Sequence, residues 1–118
     1  MWEWLWKKWR AFGKPVQERS PHWSRTRAAF LKKHPTCAAC GRKEDLNVHH
    51  KIPFNVQPKL ELVESNLITL CEHETWNCHL VIGHAGSWKR FVPNVDEIAE
   101  MALEVLKSRM VDKNNNGG

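Results

Sequence analysis

The chain has no tyrosine, only four cysteines among its 118 residues, and no long uninterrupted apolar run. No stretch approaches the roughly eighteen apolar residues a bilayer-spanning helix needs. The start, Met1-Trp2-Glu3-Trp4-Leu5-Trp6-Lys7-Lys8-Trp9, is apolar only in patches broken by charge. It lacks the continuous apolar stretch and small-residue cleavage site of an export signal. A cytoplasmic setting is therefore expected (a host cytoplasm if the gene is carried by a phage). In such a reducing environment cysteines serve more often as metal ligands than as disulfides.

At this length one domain with one modest core is expected, and an apolar content of 42% can supply it. The charge is unevenly placed. Residues 1–34 carry nine Lys/Arg against Glu3 and Glu18, a net of +7, whereas residues 35–118 carry nine against eleven, a net of −2. A basic arm on a near-neutral body points to a polyanionic partner, because cationic side chains gain affinity by releasing counterions from phosphates. A solvated, solubilising face would carry the same charges.

Along the chain, Trp2, Leu5, Trp6, Trp9 and Phe12 stand at helical spacing and predict an amphipathic helix over 2–12. It could dock on the domain, lie on a membrane surface or form an assembly contact. Residues 13–20 read as a linker. A second helix is expected over 21–34, with Ser20 as cap, Pro21 in the first turn and Pro35 as stop. Strands are expected over Leu46–Ile52 and Asn66–Cys71, with a weaker strand-like patch at Leu60–Val63. A helix should begin within 76–82 and end near Gly83 and Gly86. Asn94 and Glu97 then cap a last helix carrying Ile98, Met101, Ala102, Val105, Leu106 and Met110 as its apolar stripe. The polar tail from residue 112 to 118 is expected to be disordered. The architecture is thus α+β, with one domain over 21–111 behind a Trp-rich basic segment at 1–20.

Cys37-x-x-Cys40-Gly41 has the form of a metal knuckle, two thiolates presented by one turn with a glycine that tolerates the twist after it. Cys71 and Cys78 offer a second pair, although six residues separate them, and His73 inside that gap could replace one thiolate. Structural zinc sites are worth on the order of 10–16 kcal/mol in peptides, enough to match the whole stability of a small domain. A redox role for the Cys-x-x-Cys pair would need a strand–helix context that this turn lacks. The adjacent pair His49-His50 closes a predicted strand, where neighbouring side chains point to opposite faces. The two cannot share one job, and a division between metal ligand and general base suits that geometry. His22 and His34 have no such company and read as structural. Trp23, Trp76 and Trp88 read as core residues.

Taken together, Cys37-x-x-Cys40-Gly41, Val48-His49-His50-Lys51-Ile52-Pro53, Asn66-Leu67-Ile68-Thr69-Leu70-Cys71 and Cys78-His79 resemble the HNH endonucleases, the ββα-metal nucleases, over about residues 23–92. The resemblance implies a small ββα-metal core with a zinc knuckle, flanked by N- and C-terminal helices. It implies hydrolysis of DNA phosphodiester bonds, with His50 as general base, Asn66 holding the loop that orients it, and His49 and His79 as ligands of a catalytic cation. Cys37, Cys40, Cys71 and Cys78 correspond to the structural Zn²⁺ site of many members. His84, five residues after His79, is a further candidate ligand or phosphate contact. Because imidazoles bind hard Mg²⁺ poorly, Mn²⁺, Ni²⁺, Co²⁺ and Zn²⁺ stand beside it as candidates. Arg25, Arg27, Lys32, Lys33, Lys51, Lys89 and Arg90 are candidate contacts to DNA, gripping the backbone with little sequence preference. The competing readings are a zinc-knuckle nucleic-acid-binding module without catalysis, and a membrane or partner adaptor led by the Trp-rich start.

Neutralising the Lys/Arg residues of 7–33 should flatten the fall in DNA affinity between about 50 and 200 mM salt. An unchanged salt slope in a binding titration would reject the arm as a DNA grip.

Overall fold

The computed structural model describes residues 18–116, and side chains up to residue 110. The helix expected over 2–12 and most of the linker lie outside the described residues. Helix α1 spans Trp23–Lys33, strand β1 Leu46–His50, strand β2 Leu67–Cys71, a π-type turn His79–Gly83 and helix α2 Val95–Asn116. This is the expected α+β arrangement.

Ser20 closes the turn ahead of α1 and does not cap the helix itself. Its hydroxyl accepts from the His22 N–H at 3.1 Å and its carbonyl from the Trp23 N–H at 3.2 Å. The helix therefore starts two residues later than Pro21 suggested. Lys32 and Lys33 stand in its last turn, where cations complement the helix dipole. Its inner face brings buried Phe30 against Val48 and Leu67, with Trp23 and Leu31 packed beside them.

The two strands pair antiparallel, from Leu46 opposite Cys71 to His50 opposite Leu67. β1 is shorter than expected because the Ile52 N–H leaves the ladder for Asn66 Oδ1 at 2.9 Å, and Pro53 has no N–H to offer. The strand-like patch at Leu60–Val63 is a run of turns instead. Leu60, Glu61 and Val63 donate to carbonyls three residues back, at 3.1, 3.2 and 3.2 Å, so their donors are spent locally.

Alternation along the strands divides the core. Val48 and Leu67 face α1, and the Thr69 hydroxyl donates to the His34 carbonyl at the end of that helix, at 2.9 Å. On the other side Ile68 and Leu70 join Ala39, Cys37, Cys78, Val95 and Ala99. The stripe of α2 is correspondingly displaced. Val95 and Ala99 are its buried residues, whereas Met101, Val105 and Met110 of the expected stripe are exposed. Only the first turns of this helix meet the body of the domain, and beyond Leu106 nothing described is buried. The helix also continues to Asn116, so the backbone of the tail expected to be disordered from 112 is helical to that point. Extending a formed helix is far easier than nucleating one. No helix among the described residues is long and apolar enough to cross a membrane.

Candidate metal centres and active site

The four cysteines are free thiols, and their sulfurs all lie within 4.8 Å of one another. Two come from the knuckle, which is closed by Gly41 N–H to the Cys37 carbonyl and Cys37 N–H to the Arg42 carbonyl, both at 2.8 Å. Gly41 has φ +77°, a conformation that suits glycine and few other residues. Ala38 N–H hangs the knuckle on the Thr69 carbonyl of β2 at 2.9 Å. Cys71 ends β2 and Cys78 precedes the π turn, so the six-residue gap is a loop whose two ends meet at the cluster. His73 lies outside that cluster, accepting from the Thr75 N–H at 3.2 Å. The Cys78 hydrogen bond holds the Cys37 thiol low, at about 4. Burial drives Cys40 up to about 11, and the bond to Cys37 drives Cys78 up as well. The cluster by itself favours a thiolate at Cys37, and deprotonating Cys40 and Cys78 beside it calls for a cation. The four thiols could hold a tetrahedral ion such as zinc.

A second group gathers His49, His79 and His84, one ring nitrogen of each within 4.8 Å of the others. His79 and His84 are five residues apart, which on an α-helix would set them about 140° from one another. The π-type turn is wider, and it returns both rings to one side. His79 Nδ1 donates to Glu72 Oε1 at 2.7 Å, and His84 Nδ1 donates to the Arg90 carbonyl at 2.6 Å. In the neutral rings both Nε2 atoms then carry lone pairs, and they face each other at 3.2 Å. His49 is 2% exposed, and its Nε2 is buried without a hydrogen-bond partner among the described residues. Two inward lone pairs beside the buried His49 Nε2 fit a divalent cation, and the outer partners of His79 and His84 are of the kind that orient imidazole ligands. Burial, reinforced by the neighbouring rings, lowers the His49 pKa to about 3 and keeps it neutral. Gly83 leaves room for this ring, since a Cβ there would meet His49 Cε1 and Leu70 Cδ1 at 3.1 Å.

His50, on the other face of β1, packs against Trp23 with ring centroids 4.4 Å apart. Its Nε2 donates to the Glu61 carbonyl at 2.9 Å, which leaves Nδ1 as the basic nitrogen. Burial lowers its pKa, against the opposing pull of that carbonyl. The loop carrying Glu61 is held by buried Asn66. Asn66 Nδ2 donates to the Ile52 and Leu60 carbonyls at 3.0 and 3.2 Å, and its Oδ1 accepts from Ile52 N–H. The Glu61 carboxylate is tied to Ser20 N–H at 2.8 Å and Arg19 at 3.2 Å. His49, His50, His79 and His84 all line one cavity of about 310 Å³, with Arg19 and Arg27 in its wall.

Residues 37–84 match the family model for HNH endonucleases. Over this span the chain is similar to an HNH domain. The match opens on the first knuckle cysteine and closes on His84, the third histidine of the cluster. No curated protein and no solved structure matches the chain.

Around the matched segment the candidate DNA contacts are scattered. Arg27 faces the cavity, whereas Arg25 and Lys33 line a separate groove with Glu64. Lys33 pairs with Glu64 at 3.6 Å and Lys51 with Asp96 at 3.2 Å. Lys32, Lys89 and Arg90 are exposed. Trp76 and Trp88 are 57% and 56% exposed, not the core residues expected. Trp88 packs on the outer sides of His79 and His84, with centroids 5.1 and 5.0 Å away. Arg19 in the cavity wall and Glu72 beside His79 also belong to the surroundings of the site. Nothing in their local pattern marks them, because their partners are distant in sequence.

Two tests follow from this geometry. Cys71→Ser should abolish stoichiometric zinc in the purified protein and lower the melting temperature sharply, and full zinc with an unchanged melt would exclude the four-thiol site. The second concerns acid. His49 takes a proton near pH 6.5 when unfolded and only near about 3 when folded. Between those values the unfolded chain binds more protons, so stability rises with pH. Without a cation at the histidines, thermal melts should weaken as pH falls from 6.5 towards 3, and His49→Gln should flatten that dependence.

Proposed function

We propose that the HNH domain is a metal-dependent endonuclease that hydrolyses DNA phosphodiester bonds with little sequence preference. The observation that carries this reading is the meeting, in one cavity, of three clustered imidazoles with a separate histidine whose basic nitrogen is left free by its own hydrogen bond. His49, His79 and His84 would hold a divalent cation, which when bound supplies charge to the scissile phosphate and the leaving 3′ oxygen. Three neutral imidazoles suit Zn²⁺, Ni²⁺, Co²⁺ or Mn²⁺ better than Mg²⁺.

His50 Nδ1 accepts the proton of the attacking water. Its lowered pKa keeps the ring neutral, and so competent as a base, at neutral pH. Asn66 does not line the cavity. It acts by fixing the loop whose Glu61 carbonyl orients His50. Arg27 and Arg19 in the cavity wall offer guanidinium groups to phosphate, which suits planar recognition of its oxygens. A binding module without catalysis would have no use for a buried His49 whose Nε2 lacks a partner among the described residues.

Supercoiled plasmid incubated with the protein and Mg²⁺, Mn²⁺, Ni²⁺ or Zn²⁺ should be nicked, and His50→Ala should slow nicking by about 10²–10⁴-fold. Equal nicking by both proteins, or none by the native chain with any of these metals, would sink the proposal.

A further inference from the structure

We infer that Glu72 is a positioning residue for His79, and that Asn47 holds Glu72 in turn. The inference rests on the reading of His79 as a ligand of the three-histidine site. Glu72 follows Cys71 and His79 follows Cys78. When the thiol cluster draws the two cysteines together, it also places their C-terminal neighbours side by side, and Glu72 Oε1 stands 2.7 Å from His79 Nδ1. The long gap between the cysteines thus forms a loop with two adjacent clasps, one of sulfur and one of carboxylate and imidazole.

The carboxylate is itself fixed from β1. Asn47 Nδ2 donates to the same Oε1 at 2.8 Å, and the Glu72 N–H donates to the Asp45 carbonyl at 2.7 Å. Asn47 is oriented through its other end, where Oδ1 accepts from Val48 N–H at 2.9 Å and from Arg27 at 3.3 Å. The chain of contacts therefore runs from a guanidinium in the cavity wall, through Asn47 and Glu72, to His79. Glu72 is not among the atoms that converge on the metal position, which are contributed by the three histidines. Its effect lies in the tautomer. With Nδ1–H committed to the carboxylate, His79 must present its Nε2 lone pair towards His49 and His84. Without that acceptor the proton can sit on either nitrogen and the ring can turn.

The test is cation binding, read apart from nuclease activity. Co²⁺ is titrated into protein already carrying one Zn²⁺ per chain, and both affinity and the visible absorption envelope are recorded. Removal of an outer partner of this kind typically costs 10–100-fold in metal affinity. Glu72→Ala should show a loss in that range. Glu72→Gln, close in shape and still able to accept a hydrogen bond, should show a smaller loss with an unaltered thermal melt. Asn47→Ala should weaken binding less than Glu72→Ala and add nothing to it in the double variant, because one line of contact is being cut twice. The absorption envelope should stay that of the native protein throughout. Unchanged affinity in Glu72→Ala overturns the inference while leaving the three-histidine site intact. An altered envelope in Glu72→Gln also overturns it, since the carboxylate would then be a ligand. Failure of the native chain to bind Co²⁺ more tightly than His79→Ala would overturn the three-histidine site and this inference together.

Discussion

The meeting of four thiols constrains most of what surrounds it. They come from the knuckle, from the end of β2 and from the residue before the π-type turn, and their sulfurs lie within 4.8 Å of one another. The apolar core available to join these pieces is small, and the thiols form part of it, beside Ala39, Ile68, Leu70, Val95 and Ala99. In a chain of this size a cation-bound cluster can outweigh the contribution of such a core. The same cluster reaches the histidines through the backbone, because Cys78 is joined to His79 and Cys71 to Glu72. A structural centre and a candidate reactive centre are therefore coupled by single peptide bonds.

Four histidines at the cavity are alike in chemistry and differ in what holds them. His79 and His84 each give Nδ1–H to an outer oxygen and turn Nε2 inwards. His49 is buried beside them, its Nε2 without a partner among the described residues. His50 is bonded in the opposite sense, with Nε2–H given to the Glu61 carbonyl and Nδ1 left basic. One strand thus places two imidazoles in different settings, because consecutive residues leave β1 on opposite faces and the cavity spans both. Gly83 contributes by having no side chain, since any Cβ would press on His49.

Much of this was legible along the chain. The α+β order, both strands to within two residues, the knuckle, and His49 and His50 on opposite faces all followed from local pattern. Where local pattern misled, the cause is visible. Leu60–Val63 alternates like a strand, yet its donors are taken by carbonyls three residues back. Met101, Val105 and Met110 keep helical spacing on a helix that is longer than the body it packs against. Trp76 and Trp88 have the composition of core residues and stand at the surface. His84 is a further candidate from its nearness to His79, but nothing in the sequence announces the π-type turn that brings both rings to one side.

The sequence by itself determined which side chains could do chemistry. Thiols, imidazoles and the amide of Asn66 are chemical facts of the chain, and their order restricts them to a few arrangements. Tertiary structure decided which nitrogen of each imidazole is free, that Glu72 meets His79 across the loop, and that Arg19 meets Glu61 across 42 residues. Tautomer, orientation and burial depend on partners brought together from distant parts of the chain, and no local spacing encodes them.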